Sequence, residues 1–301
     1  MEDQPRPCKL CQEPAQLQLS HILPAFAFRW LRESAGGGHL RNSITPNQRV
    51  QDGEKRYWLC NACELLFGKS EKLFADRVFY PYLENEAGAY HYGPWLLHFC
   101  ASVSWRILVA SLDDKHLHKW EPGALDAAYV AEQYWRDYLL GRLPHPGPYQ
   151  QHLLPFSQIE STGEGFPPNI NRYLMRAIQM DLCQGTKTTF TFAKLGRFAI
   201  FGFVRGPEPG QWRGTKVNAN QGQISPRKYV LPVGLWNYLT EKSHAVRTAL
   251  ESVSDVQQRK IEEALQRKRE TFVGSDAYAA MQADIESFGS AAFSAERLHE
   301  P

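Results

Sequence analysis

Cys8-Lys9-Leu10-Cys11 is answered by Cys60-Asn61-Ala62-Cys63, and Ser20-His21-Ile22-Leu23-Pro24 lies between them. Two C-x-x-C pairs in one short region are the pattern of a four-thiolate metal site. The two thiols of each pair sit one turn apart, so both can reach one ion. Zinc prefers soft thiolates arranged as a tetrahedron, and two such knuckles supply one. Two disulfides, or four unrelated thiols, are the competing readings. Four of the six cysteines fall here, and the other two, Cys100 and Cys183, are scattered.

The 301 residues are enough for two domains, each with its own core. With 43% apolar and 22% charged residues, the chain has the composition of an ordinary globular protein. A formal charge of +2 names no partner. No unbroken apolar run approaches 18 residues, so no transmembrane helix is expected. Met1-Glu2-Asp3-Gln4-Pro5 is polar and acidic and does not read as a signal peptide. Thiols used as ligands suit a reducing cytoplasm.

Around the knuckles the pattern is regular. Gln16 to His21 alternates polar and apolar residues and predicts a strand with His21 near its end. Pro24 suits a helix entrance, and Ala25 to Glu33 reads as a helix. Gly36-Gly37-Gly38 and the stretch Asn42 to Asn47 read as loops. Lys55 to Leu59 reads as a strand running into the second knuckle, and a helix follows from about Cys63 to Val78.

This order of knuckle, hairpin, loop, strand, knuckle and helix is a treble-clef layout of ββα type. On Cys8 to Cys11, Ser20-His21-Ile22-Leu23-Pro24 and Cys60-Asn61-Ala62-Cys63-Glu64, the first quarter of the chain resembles the HNH endonuclease family in its zinc-stabilised form. Glu64 stands where that family usually has histidine. The resemblance implies a structural zinc on Cys8, Cys11, Cys60 and Cys63. It implies His21 as the general base that takes a proton from water attacking a phosphodiester, a task suited to a group titrating near neutrality. It also implies a catalytic magnesium or manganese ion. Glu64 and Glu71, seven residues apart and so on one helix face, are the candidate ligands. Asn42 and Asn47 are candidates for the family's middle asparagine, although Asp52 lies closer to the second knuckle. Such modules occur in bacterial defence and mobile-element systems.

Further along, Tyr90 to Leu112 and Ala124 to Leu140 predict buried helices, and Tyr173 to Leu182 a shorter one. His116-Leu117-His118 reads as surface, with no third metal ligand apparent. From Thr186 the chain turns β-rich, with strands expected near Thr186–Phe192 and Arg197–Val204 and shorter ones at Lys216-Val217 and Tyr229 to Leu231. Eight basic residues (Lys187, Lys194, Arg197, Arg205, Arg213, Lys216, Arg227 and Lys228) face one acid, Glu208, in this region. Basic and aromatic residues interleaved on a sheet point to a phosphate-rich partner, DNA or RNA. Lysine placed for solubility and edge protection is the alternative. Ala245 to Phe272 predicts one long helix able to pack on the body or to join copies in a homo-oligomer, and Ser275 to Phe288 a final helix.

The expectation is therefore an α+β protein. A zinc module over residues 1–80 precedes an α+β domain over 81–301, helical to 185, basic and β-rich to 231, then helical again. The function implied is metal-dependent cleavage of DNA. The alternatives are a non-catalytic zinc module that recognises nucleic acid or a protein, and a nucleotide-regulated effector.

Overall fold

The computed structural model describes residues 5–35, 40–41, 45–114, 119–159, 165–206 and 210–292. Asn42, His116, His118 and Glu208 lie outside the described residues. The fold is mixed α and β, as the sequence predicts.

The N-terminal part is built on one antiparallel pair. Strand β1 (Leu17–His21) is followed by helix α1 (Ala25–Glu33), and strand β2 (Lys55–Cys60) returns against β1 with Leu17 opposite Cys60 and His21 opposite Lys55. A bulge between Gln18 and Leu19 shifts the register, so Ser20 turns inward while His21 stays partly exposed. Cys60 ends β2 and caps helix α2 (Asn61–Phe74), which continues through a wide π-type turn over Ala75–Phe79 into Tyr80–Glu84.

Helix α3 (Pro94–Asp113) is the axis of the molecule. It is long and apolar enough to cross a membrane, which the sequence reading did not expect. However, 83% of its most apolar window is buried inside the protein. Helix α2, helix α4 (Ala124–Leu139) and the main sheet wrap it from different sides. That sheet comprises β3 (Gln151–Pro155), then helix α5 (Ile170–Arg176), β4 (Ile178–Gln184), β5 (Thr189–Leu195) and β6 (Phe198–Arg205). Its strands are all antiparallel in the order β3-β6-β5-β4.

Alternation along β5 and β6 sends side chains to two different cores. Ala193, Leu195, Phe198 and Ile200 join the α3 side, whereas Phe190, Phe192, Phe201 and Phe203 join a second cluster with Trp212, Leu235 and Leu239. At Gly202 the helix comes so close that an added Cβ would lie 2.4 Å from Ser104 Oγ. Nothing in the core marks residue 80 as a boundary. Cys8, Ile22, Trp30, Phe67 and Phe74 share one apolar cluster with Trp105, Phe198 and Ile200, so the first 80 residues do not have a core of their own.

Three predicted helices are changed by tertiary contacts. The one expected from Tyr90 begins only at Pro94, because Tyr90–Tyr92 pairs as a strand with Gly222–Ile224. Tyr173 to Leu182 is helical only to Arg176; Ala177 then turns extended and the rest becomes β4, because β5 offers it a ladder. The expected helix from Ala245 to Phe272 is three pieces, α6 (Val233–Glu251), α7 (Asp255–Arg267) and a short turn at Arg269–Val273, ahead of α8 (Asp276–Phe288). At the first break Asn47 Oδ1 accepts the Ser254 N–H at 2.8 Å and Asn47 Nδ2 donates to Ser252 O at 3.3 Å. The side chain of Asn47 thus replaces helix hydrogen bonds, which gives it a structural role. The expected single helix is therefore broken, and none of the residues of α7 is buried.

Candidate functional site

The first knuckle is a tight turn held to the hairpin. Cys8 N–H donates to Glu13 O, Gln12 N–H donates to Cys8 O, and Gln12 takes a left-handed φ of 67°. Lys9 N–H donates to Trp58 O at 2.8 Å, which fixes the turn beside β2. The second knuckle rides on the start of α2. As a result the Sγ atoms of Cys8, Cys11, Cys60 and Cys63 all lie within 4.8 Å of one another, close enough to hold a metal ion. A tetrahedron with metal–sulfur bonds of about 2.3 Å has edges of about 3.8 Å. Cys11 Sγ and Cys60 Sγ are 3.9 Å apart, which matches that edge and is far too long for a disulfide. All six cysteines are free thiols.

The surroundings favour charge on one thiol. Burial would raise Cys8, but the N–H groups of Cys60, Cys11 and Leu10 outweigh it and hold Cys8 below the ordinary value. Cys60 N–H lies 3.3 Å from Cys8 Sγ. Burial pushes Cys11 and Cys63 up, and neighbouring thiols add to the rise at Cys63. Four thiols crowded in this way become thiolates together only when a cation sits among them.

His21 emerges at the far end of β1. Its Nε2 lies 2.8 Å from Asp52 Oδ2, in a pair that is partly exposed. The same Asp52 oxygen is 2.7 Å from Lys55 Nζ, and Asp52 Oδ1 accepts the Gly53 N–H. Burial would raise the Asp52 carboxyl, but Lys55, His21 and that N–H pull it down to about 2. Asp52 is therefore ionised at neutral pH, and an ionised carboxylate on Nε2 selects the tautomer whose lone pair is on Nδ1. The Phe28 ring packs directly on Gly53, where a Cβ would sit 2.3 Å from it.

Glu71 is not available as the sequence suggests. It is ion-paired at 2.6 Å with Arg106, whose side chain is only 4% exposed. Arg106 also donates from Nη1 to His21 O at 3.1 Å and from Nε to Ser102 O, and its guanidinium lies over the Phe67 ring. This arginine holds the backbone of the motif histidine, and no site role for it was read from the sequence. Its signal was present all the same, as one cation within the apolar run from Pro94 to Leu112. Glu64 is half-buried on α2 with no ion-pair partner among the described residues. Among the described residues the four cysteines are the only group of three or more His, Cys, Asp and Glu side chains whose ligand atoms converge in this way. His21, Glu64 and Glu71 therefore do not form a second such cluster. The residues present do not by themselves fit a second ion.

The expected basic sheet is also changed. Both faces of β5 and β6 are covered, so their cations cannot form an open platform. Lys194 is fully buried, with its ammonium donating to Leu174 O at 2.6 Å and to Gly196 O. Burial holds its pKa well below the usual lysine value. Arg197 is largely buried and paired with Glu86. Arg205 ties together Thr189, Gly185 and Pro122. Five of the eight remain exposed: Lys187, Arg213, Lys216, Arg227 and Lys228. The last four belong to the segments 211–217 and 225–230, which an isolated bridge between Arg213 and Val230 brings together.

Compared with protein-family models, with curated proteins and with solved structures, the chain matches none.

Proposed function

We propose that the chain is an HNH-like endonuclease that hydrolyses phosphodiester bonds in DNA, with zinc bound by Cys8, Cys11, Cys60 and Cys63 as a structural ion. The observation that carries this reading is the His21–Asp52 pair at the end of β1, in a ββα unit at whose other end four cysteines converge. Zinc is the fitting metal because four sulfur donors and no open position make a closed structural site. In this reading the treble clef is the scaffold, and a reducing compartment such as the cytoplasm keeps the thiols available.

In this mechanism His21 Nδ1 takes the proton of the attacking water while Asp52 holds Nε2–H and stabilises the imidazolium that forms. Arg106 fixes the histidine's backbone from behind. The exposed cations Arg213, Lys216, Arg227 and Lys228 are the groups that meet substrate phosphates.

The second reading is a non-catalytic zinc module that recognises nucleic acid or a protein partner. It is favoured by the Glu71–Arg106 pair, which commits a candidate metal ligand to the fold. The experiment is cleavage of plasmid and single-stranded DNA with magnesium or manganese by wild type, His21→Ala and Asp52→Asn. The nuclease reading expects a loss of about 10²–10⁴-fold in both variants at unchanged zinc content. Salt-sensitive DNA binding without cleavage by wild type would replace it with the binding module.

A further inference from the structure

Asp52 also lines an open cavity of about 540 Å³ bordered by the α1 region, residues 40–41 and 46–54, the start of β4 and the end of α6. Its walls are mainly aliphatic, with Leu23, Leu40, Val50, Met180 and Val246 among them. A volume of this size is that of a small-molecule site. Phe28 is the one aromatic ring in the lining among the described residues, so a stacking platform for a nucleobase is not built here.

Two arginines and two acids line this cavity, and among the described residues only the acids are ion-paired. Arg41 and Arg176 both line it. Arg41 donates to Pro46 O at 2.6 Å and to Gln257 Oε1 at 2.9 Å. Arg176, largely buried, donates to Ser34 Oγ at 3.0 Å and Leu31 O at 3.1 Å. All four acceptors are neutral, and neither arginine has a carboxylate in ion-pair contact among the described residues. The acids of the lining are already used, Asp52 by His21 and Lys55, and Glu54 by Arg56. Asp276 acts on Arg176 through its field, but its Oδ2 accepts the Trp30 N–H. Arg41 also stands directly opposite Arg49 in a short two-stranded ladder, and like charges placed so repel. Arg41 is partly exposed, whereas Arg176 is withdrawn from water with its guanidinium over the Trp30 ring and only neutral hydrogen-bond acceptors, an arrangement that is costly until an anion joins it.

We propose that this cavity binds a small amphipathic anion, with an aliphatic chain among the apolar side chains and a carboxylate or phosphate head drawn to Arg41 and Arg176. Aliphatic walls and two cations outside any ion pair among the described residues are complementary to that class and to neither a neutral lipid nor a nucleotide. Because Asp52 and Gly53 line the same cavity, an occupant touches the residue that orients His21. The binding itself does not depend on the nuclease reading.

The test is calorimetric titration of the full chain with dodecanoate, dodecyl phosphate, dodecanol and adenosine monophosphate, each below its micelle threshold. The expected result is saturable 1:1 binding of at least one of the two anions, with dodecanol at least tenfold weaker. The preference between dodecanoate and dodecyl phosphate identifies the head group. Arg41→Gln should weaken the anion about tenfold, and Ala249→Trp, which fills the cavity, should abolish binding. Leu250→Glu at the half-exposed rim gives a second variant that leaves the core untouched, and it should weaken binding about tenfold by repulsion. Equal affinity for dodecanol, tighter binding of adenosine monophosphate, unchanged binding in Ala249→Trp and Leu250→Glu, or no binding of either anion would each overturn the proposal.

Discussion

The pair between Glu71 and Arg106 decides whether Glu71 belongs to the fold or to the chemistry, and it can be removed cleanly. Arg106 is 4% exposed, and Glu71 lies 2.6 Å from it. At that separation the gross attraction is about 6 kcal/mol for an effective dielectric near 20. Most of this offsets the desolvation of the two ions, so the pair stabilises the fold by far less than the gross figure. Removing one partner is different, because the buried guanidinium then keeps only His21 O and Ser102 O as acceptors. Glu71→Gln, which retains a neutral acceptor, should cost about 2 kcal/mol, and Glu71→Leu about 3–5 kcal/mol. The double change Glu71→Leu with Arg106→Met should recover much of that loss, with a coupling of about 2 kcal/mol. Urea unfolding of wild type, both single variants and the double variant closes the cycle. A cost under about 0.5 kcal/mol for Glu71→Leu, or strict additivity, would refute the assignment and return Glu71 to the ligand candidates.

Three more outcomes follow from the same geometry. Cys63→Ser should remove the metal, as measured by elemental analysis, and cost several kcal/mol in unfolding, because metal affinity in a four-thiolate site is also folding free energy. Asp52 is depressed from 3.8 to about 2, so its contribution is fully present above pH 3.8 and is lost as pH falls through about 2. Since the carboxylate is a third exposed, that contribution is about 1 kcal/mol after screening. Asp52→Asn should therefore lower stability by about that much at pH 7, and the gap to wild type should narrow from pH 4 downward in urea titrations. Asn47→Ala should release the break between α6 and α7 at a cost of about 1–2 kcal/mol, read as faster amide exchange confined to residues 252–267.

The local features were legible because local chemistry sets them. C-x-x-C spacing places two sulfurs on one turn, alternation marks β1, and the four cysteines meet as the spacing predicts. The strands at Thr189–Leu195 and Phe198–Arg205 and the helices at Ala25–Glu33 and Asp276–Phe288 were readable in the same way, since their side-chain period is a property of the segment itself. What lies on the other side of each segment is a different matter. Whether a lysine in a β-rich stretch reaches solvent depends on what covers the sheet. Lys194 is inside because α5 and the Phe156 ring close over it, while Lys216, 22 positions later, is outside.

The partners of the site were likewise decided at long range. Sequence spacing offered Glu64 and Glu71 as equals on one helix face. Only the approach of α3 separates them, by inserting Arg106 against Glu71 and leaving Glu64 without an ion pair among the described residues. Asp52 reaches His21 across 31 positions because the strand pairing of β1 with β2 folds the intervening segment back. The break between α6 and α7 is invisible to periodicity, since the side chain that satisfies it comes from Asn47, more than 200 positions away. The sequence by itself determined the cysteine knuckles, the hairpin that carries His21, and the α+β character, because these rest on contacts within a few turns of chain. The tertiary structure alone decided which cations are free, which carboxylates are ionised, and where a cavity remains, because each of these depends on what distant segments bring into contact.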